Sequence, residues 1–333
     1  LGLSDGDFFR DRDAFEEREE LSVYGEVGYS FTDQAKLTLG YRRSDLKQDS
    51  GLTRADGVFD GDATATPPTG AAATIGVDES TQEGINTYKI NFEYRFNDDI
   101  LAYALASSGY RLGGWNRSSA AGVSAASAYE TDTLWNYEIG TRTSWLDNRL
   151  TANAVVYYID WSDIQLRVFD LASLSPKVQN IGKAELFGLE TEIDFQVTER
   201  LSLGVNYAYT DASLAEDYSI NPPTVDAAKG TRLPGSSRHS FSIFADWQRP
   251  LTSGVDMLIN ANYRYVSSRA NALVSGGALG EPPIPSAEFV NLSAGISYDS
   301  GVTVSLFANN LFDERAIQAT ASLGALLESV GMS

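Results

Sequence analysis

Hydrophobic and polar residues alternate with a period of two along most of the chain. From Leu201 to Thr210, the leucines, Val205 and the tyrosines occupy one side of an extended strand, and small or polar residues occupy the other. The same division recurs in the ranges 23–31, 37–41, 88–96, 100–112, 133–145, 150–165, 186–197, 239–247, 255–265, 289–298 and 302–306. Half-buried strands have this pattern, and segments of roughly 10 to 15 residues exceed the usual globular strand. The pattern therefore predicts about a dozen long β-strands.

The connections between these strands alternate between short and long. Polar turns of a few residues occur at 32–34, 97–99, 146–149, 198–200, 251–254 and 299–301. Long segments rich in Gly, Ala, Ser, Pro and Asp separate them at 49–83, 115–129, 169–184, 213–237 and 267–286. Outer-membrane β-barrels have short periplasmic turns and longer extracellular loops. The alternation therefore favours an all-β fold, a transmembrane antiparallel up-and-down β-barrel.

Charged and aromatic residues are divided between the two faces of the predicted strands. The polar face carries charges of both signs, among them Glu93, Arg95, Glu138, Arg142, Glu190, Glu192 and Arg264. Such charges cannot face lipid, so we expect them to face a water-filled or protein-filled lumen. Aromatic residues on the apolar face collect near the short turns, namely Tyr29, Phe31, Tyr94, Phe96, Trp145, Trp247 and Tyr298. They are expected to form an interfacial girdle.

A soluble fold is the alternative to a barrel. A secreted β-solenoid or a large β-sandwich also has alternating strands and polar turns, with its polar face in solvent. Neither architecture predicts strict alternation of short and long connections, or aromatic residues gathered at one end. The barrel accounts for both features.

Composition excludes several classes of function. A net charge of -20 argues against a nucleic-acid partner, because a phosphate backbone requires a basic surface. The chain has no cysteine and one histidine, His239, so thiolate and histidine-rich metal sites are excluded. We expect His239 at the rim, on the outward face. Neither a metal site nor a cofactor is predicted.

Four segments resemble one known family. The stretch GYRLGGWN, at 109–116, resembles the aromatic-Arg-x-Gly-Gly-x-Asn signature at the top of one barrel strand in TonB-dependent outer-membrane receptors. The stretch at 137–165, with its WLDNRL turn, resembles a hairpin of that family. NIGKAELFGLETEIDF resembles the family's next strand, and FANNLFDERA resembles the segment leading to its last hairpin. The resemblance covers about residues 21–316.

The resemblance implies more strands than this chain contains. The family has a 22-stranded barrel filled by an N-terminal plug, and it imports scarce nutrients with energy delivered by the TonB protein through the plug. We interpret residues 1–333 as the distal part of such a barrel, matching about its tenth to twenty-first strands, without the plug or the last strand. Two open strand edges would be unstable in a bilayer alone, so the remaining strands and the plug are expected partners.

Candidate ligand contacts lie at the predicted rim. Gly113 and Gly114 are expected to bend the chain away from the wall at φ values that other residues resist. The residues after this bend, together with the preceding arginine, would stand at the mouth as candidate ligand contacts: Arg111, Trp115, Asn116, Arg117 and Tyr129. The alternative is that this motif only terminates a strand. The lumenal charges listed above are candidates for plug docking or for ligand contact.

The resemblance favours transport over the other functions considered. The chain lacks G-x-S-x-G, H-E-x-x-H and P-loop motifs, so no catalytic residue and no enzymatic activity are predicted. A passive porin-like channel and a surface adhesin share the barrel physics and remain alternatives. We expect an active transporter in the bacterial outer membrane, surrounded by lipid, that binds a small molecule. Family frequency favours an iron chelate of the siderophore type.

Overall fold

The described part of the chain consists of β-strands joined by turns and loops. The computed structural model describes residues 8–58, 71–116, 127–170, 175–219, 227–273 and 282–318. Its strands are β1 Phe8–Ser30, β2 Ala35–Val58, β3 Ala71–Asn97, β4 Ile100–Arg111, β5 Gly114–Asn116, β6 Ser127–Tyr129, β7 Asp132–Trp145, β8 Leu150–Ser162, β9 Gln165–Asp170, β10 Ser175–Asn180, β11 Ala184–Thr198, β12 Leu201–Leu214, β13 His239–Thr252, β14 Val255–Val266, β15 Ala287–Tyr298 and β16 Thr303–Ala308. Within these ranges, no helix is long and apolar enough to cross a membrane.

Twelve of the strands form one antiparallel sheet. The strands lie in the order β1-β2-β3-β4-β7-β8-β11-β12-β13-β14-β15-β16, so each pairs with the strands of this sheet that precede and follow it in the chain. The other four form two separate hairpins, β5 with β6 and β9 with β10. The predicted up-and-down arrangement of about a dozen long strands is thus confirmed. The sheet is not closed, because β1 and β16 lie at its two edges.

The strand register assigns the charged and apolar residues to opposite faces. Arg142 lies opposite Asn153, which lies opposite Glu192 on the next strand, and all three share the inward face. Three residues away along each strand, Ile139 lies opposite Val156 on the outward face. The outward side chain of Ile139 is 69% exposed. An exposed apolar face beside a polar one is the arrangement expected of a membrane barrel wall.

The short and long connections lie at opposite ends of the sheet, as predicted, but three of the predicted loops contain strands. The loop 115–129 contains β6 and most of β5, and the loop 169–184 contains β10. The first strand also begins at Phe8, before its predicted start at 23. The segment 49–83 is not a loop throughout, because β2 continues to Val58 and β3 begins at Ala71. The strands remain paired through this region, from Asp49 opposite Ser80 to Arg54 opposite Ile75. Outside the bilayer a strand is held by backbone hydrogen bonds and does not need an apolar face. The alternation of apolar and polar residues that marks a membrane strand is therefore absent there.

Aromatic residues collect at both ends of the outward face. Beside the short turns, the rings of Tyr29 and Phe31 meet edge to face with centroids 4.9 Å apart. A second group at the other end was not predicted: the rings of Tyr88 and Trp135 are stacked with centroids 6.2 Å apart, and the ring of Tyr41 lies 5.6 Å from that of Tyr88. Outer-membrane barrels have an aromatic girdle at each interface, and the two groups match that arrangement.

Two aromatic rings of the inner wall lie over glycines of the neighbouring strand. A Cβ atom on Gly140 would stand 2.5 Å from the Tyr103 ring, and one on Gly188 would stand 2.1 Å from the Tyr157 ring. Glycine is therefore needed here for close approach. The two rings therefore occupy the space that a side chain at either glycine would fill.

The largest hydrophobic cluster lies at the end of the sheet that carries the long connections. Its buried members are Ile164, Ile181, Ala184, Ala212, Leu214, Tyr218, Ala227, Leu233 and Leu273, and Trp161, Leu166 and Leu186 pack against them. We call this set the loop core. Backbone hydrogen bonds join Leu214 to the loop that follows it, from Leu214 N to Thr231 O at 2.9 Å and from Gly230 N to Leu214 O at 2.8 Å. The long connections around β12 are therefore packed structures.

Candidate functional site at the extracellular rim

The motif arginine at the end of β4 makes an ion pair with a buried carboxylate. Arg111 lies directly opposite Asp132, the first residue of β7. The Asp132 side chain is only 1% exposed, and its carboxylate accepts hydrogen bonds from Arg111 Nε at 2.9 Å and from Arg111 Nη2. It also accepts a bond from the Arg111 backbone nitrogen at 3.1 Å. The guanidinium stacks on Trp161, with its central carbon 4.5 Å from the ring centroid.

Gln165 connects this ion pair to the next loop. Its backbone nitrogen donates to Asp132 Oδ2 at 3.0 Å, and its carbonyl oxygen accepts from Arg111 Nη2 at 2.9 Å. Its side-chain Nε2 lies within hydrogen-bond distance of the carbonyl oxygens of Arg111, Leu112 and Glu130, at 3.2, 2.9 and 2.9 Å. We call Arg111, Asp132 and Gln165 the rim junction. It joins the ends of β4, β7 and β9.

Two asparagines extend these connections. Asn180 exchanges two hydrogen bonds with the backbone of Glu130, at 2.7 and 2.9 Å. Asn116, a candidate ligand contact, exchanges two with the backbone of Val178, at 2.6 and 2.7 Å. In both cases one amide side chain donates one hydrogen bond to a backbone and accepts one from it, as a paired backbone does in a β-sheet. The hairpins β5-β6 and β9-β10 are thereby held against each other.

The two glycines of the motif serve close packing and do not form a left-handed bend. Neither Gly113 nor Gly114 has a positive φ angle, so the predicted reason for them is wrong. A Cβ atom on Gly113 would stand 2.5 Å from the Tyr129 carbonyl oxygen and 2.9 Å from the Thr131 nitrogen. A Cβ atom on Gly114 would stand 2.5 Å from the Tyr129 hydroxyl. The chain needs glycine here because the returning strand passes directly against it.

The other candidate rim residues lie in the β5-β6 hairpin or beyond the described residues. Trp115 pairs with Ala128, and Tyr129 pairs with Gly114. The indole Nε1 of Trp115 is buried and has no acceptor in the described part of the chain. Arg117 lies outside the described residues. The contact of these side chains with a ligand stays a prediction.

The loops beyond the rim junction are joined in the same way. The Tyr218 hydroxyl donates to Gln179 Oε1 at 2.8 Å. At the base of the same loop, Arg238 Nη2 donates to Asp211 Oδ1 at 2.8 Å, and this bond raises the pKa of the guanidinium. His239 lies at this end of β13, exposed on the outward face as expected, with Nδ1 2.9 Å from the Tyr207 hydroxyl.

The predicted lumenal charges lie on the inward face. Arg142, Glu190, Glu192 and Arg264 line one groove on the inner wall. Glu192 accepts a hydrogen bond from Asn153 at 3.3 Å, whereas no ion pair joins the other three to an opposite charge within the described ranges.

Two of the remaining three inward charges have polar neighbours on the wall itself. Glu93 and Glu138 accept bonds from Asn91 and Asn136, at 2.8 and 2.6 Å, and Arg95 lies opposite Leu101. No group of three metal-binding side chains occurs among the residues that the structure describes.

Sequence reasoning found the arginine of the rim junction but missed its partners. Asp132 and Gln165 stand at strand ends, where a polar residue is ordinary. One feature of the sequence could have identified Asp132. Its position in the alternating pattern of β7 places this acid on the inward face, where it lies opposite Arg111. That register follows from the pairing of β4 with β7, which the alternation of residues within each strand does not determine.

Comparison with known proteins identifies the family. The profile described as "TonB dependent receptor-like, beta-barrel" matches residues 2–311. The chain belongs to this family. TonB-dependent receptors are bacterial outer-membrane proteins, so the outward face of the sheet faces lipid.

Individual TonB-dependent receptors resemble the chain at low identity. The metal-pseudopaline receptor CntO of Pseudomonas aeruginosa is 26% identical over 312 residues, which cover 92% of this chain and 39% of that protein. The pesticin receptor of Yersinia pestis is 22% identical over 301 residues, 89% of this chain and 39% of the relative. The chain thus spans about two fifths of the length of these relatives.

Solved structures agree on the fold. The crystal structure of the ferric yersiniabactin uptake receptor FyuA from Yersinia pestis superposes with a TM-score of 0.71 at 18% identity, over 93% of this chain and 43% of that one. The closed form of the ferric-catecholate import receptor Fiu from E. coli K12 gives 0.70 at 19% identity, over 94% and 43%. At these identities the likeness concerns the barrel fold alone.

Proposed function

We propose that this chain is the distal barrel wall of an active transporter that binds a ferric siderophore at its extracellular rim and imports it. The observation that carries the proposal is the family membership of residues 2–311 together with a rim in which the loops are packed and joined by side chains. We assign the chain a transport role and no catalytic one. The names of two relatives, which concern metal-pseudopaline and ferric pyoverdine, support a metal chelate as ligand.

A binding screen tests the ligand class. We expect the full-length receptor to bind at least one of ferric yersiniabactin, ferric enterobactin and the pseudopaline–metal complex saturably, with a sub-micromolar dissociation constant, roughly -8 kcal/mol or stronger. Isothermal titration with each chelate, its metal-free form, cobalamin and an oligosaccharide provides the measurement. Binding of cobalamin or the oligosaccharide alone would reject the siderophore class. Binding of none of them would favour a passive channel or an adhesin.

We also propose that the inward charges dock the plug domain of the full-length receptor. Arg142, Glu190 and Arg264 face the interior with no ion-pair partner in the described part of the chain. A partner that fills the lumen and carries complementary charges would satisfy them, because a charge without a partner is costly away from water. Polar side chains such as Asn153 lie between them on the groove wall.

Thiol protection measures this docking, because the chain contains no cysteine of its own. We expect an Asn153→Cys variant of the full-length receptor to react with a membrane-impermeant maleimide at least about tenfold more slowly than the same variant lacking the plug. Glu19→Cys is the control, since Glu19 is exposed on the long extracellular part of β1 and should react equally in both. Equal reaction at position 153 with and without the plug would exclude docking on this wall.

A further inference from the structure

We infer that Arg111 is a positioning residue: through its ion pair with the buried carboxylate of Asp132 it holds the extracellular loops in the arrangement that binds ligand, and it does not contact the ligand itself. The inference rests on the proposed function and concerns the same rim. It assigns to Asp132 and Gln165, as the other members of the rim junction, a role in ligand binding that acts through loop geometry.

The hydrogen-bonding capacity of the Arg111 side chain is largely used within the protein. Two of its nitrogens, Nε and Nη2, donate to the Asp132 carboxylate, and Nη2 also donates to the Gln165 carbonyl oxygen at 2.9 Å. One face of the guanidinium is covered by Trp161. A ligand carboxylate or catecholate that bound Nε or Nη2 would have to displace these contacts, and Asp132 would then be left buried with its charge unpaired, which is costly.

The position of the junction explains how it acts at a distance. Asp132 receives bonds from β4 and from the first residue of β9, so one carboxylate joins two loop bases. From there Asn180 and Asn116 connect the two hairpins, and Tyr218 reaches Gln179 from the loop after β12. These hydrogen bonds form a continuous series from the rim junction to the outer loops. A change in the geometry of the junction therefore alters the positions of loops that do not contact it.

A double-mutant cycle in the full-length receptor separates positioning from contact. The variants are Arg111→Gln, Asp132→Asn and the double variant, titrated with the ferric chelate that the unaltered receptor binds. If Arg111 acts through Asp132, each single variant weakens binding about tenfold or more and the double variant is no weaker than the worse single one. If Arg111 contacts the ligand, Asp132→Asn has little effect or the two losses multiply, and the inference is overturned.

A matched ion pair supplies the control. Arg238 and Asp211 also form a guanidinium–carboxylate bond at the rim, at 2.8 Å, and the two arginines are similarly exposed, but the Asp211 side chain is 41% exposed whereas that of Asp132 is 1% exposed. The changes Arg238→Gln and Asp211→Asn are therefore expected to alter the dissociation constant less than about threefold, as exposed pairs usually do. An equal loss from both pairs would mean that any disturbance of the rim weakens binding, and the specific role of the junction would be rejected.

A ligand-free measurement keeps the inference separate from the proposed function. In Asp132→Asn, we expect amide hydrogen exchange in 127–131, 163–170 and 175–183 to become at least about tenfold faster, with β13 and β14 unchanged. If hydrogen exchange in those loops is unchanged, the inferred role of the rim junction is overturned, even when the variant binds the chelate as tightly as the unaltered receptor. If the unaltered receptor binds no chelate, the proposed function fails, whereas the exchange result still decides whether the junction holds the loops.

Discussion

Replacing Leu214 with alanine is expected to loosen the extracellular loops while the barrel wall stays folded. Leu214 is fully buried in the loop core, and its backbone bonds to Thr231 and Gly230 hold the following loop in place. Removing a buried leucine side chain costs about 2–5 kcal/mol, because the cavity it leaves collapses only in part. That loss falls on the part of the molecule that opens most easily.

Amide hydrogen exchange in the full-length receptor measures the effect. The reporters are the amides of Gly230 and Leu233, which bond to the carbonyls of Leu214 and Ala212 at 2.8 and 2.9 Å. A local loss of 2 kcal/mol or more corresponds to exchange about 30-fold faster or more. We expect the ferric chelate to dissociate faster from the variant as well, because the loosened extracellular loops must be ordered when the chelate binds.

Leu203→Ala is the matched control on the same strand. Leu203 faces outward and is 39% exposed to the membrane side, so its truncation should leave the Gly230 and Leu233 amides unchanged. If both substitutions accelerate exchange equally, the loops are coupled to the whole wall and the loop core has no stability of its own.

Placing an arginine at position 156 is expected to destabilise the barrel, whereas placing it at position 155 is expected to be tolerated. Val156 lies near the middle of β8 on the outward face, between Ile139 and Leu189 of the neighbouring strands. An arginine near the bilayer midplane costs about 2–4 kcal/mol on the lipid face of such a barrel. Val155 faces inward and lies opposite Glu190, which would partner the new charge.

The free energy of unfolding in urea, measured for the full-length receptor in lipid vesicles, distinguishes the two variants. We expect Val156→Arg to lower it by the stated amount and Val155→Arg to change it by about 1 kcal/mol or less. The reverse order would show that the charged face contacts lipid, which would contradict the assignment of the two faces. Equal losses would point to an apolar environment on both sides of β8.

Local alternation was enough to predict the wall of this receptor. Each membrane strand must bury one face in lipid and present the other to the interior. The faces of residues such as Val205 and Asn206 can therefore be predicted from polarity and position alone, without knowledge of a distant partner. The short turns could also be predicted from sequence. Tight connections need polar residues, and glycine where the φ angle is positive, as at Gly254 and Gly301. Where the strands leave the membrane this constraint ends, and the extracellular halves of β2 and β3 were missed.

The rim was decided by contacts between segments that are far apart in the chain. Arg111 and Trp115 were noticed in their motif, but Asp132, Gln165 and Asn180 had no distinguishing pattern. Gly113 was noticed too, yet it is needed because Tyr129 passes against it, 16 positions later by residue number, and its backbone angle is ordinary. Periodicity reports only which side of a strand a residue occupies. Which loops meet above the membrane depends on packing and hydrogen bonds that form only once the whole wall has brought the strand ends together.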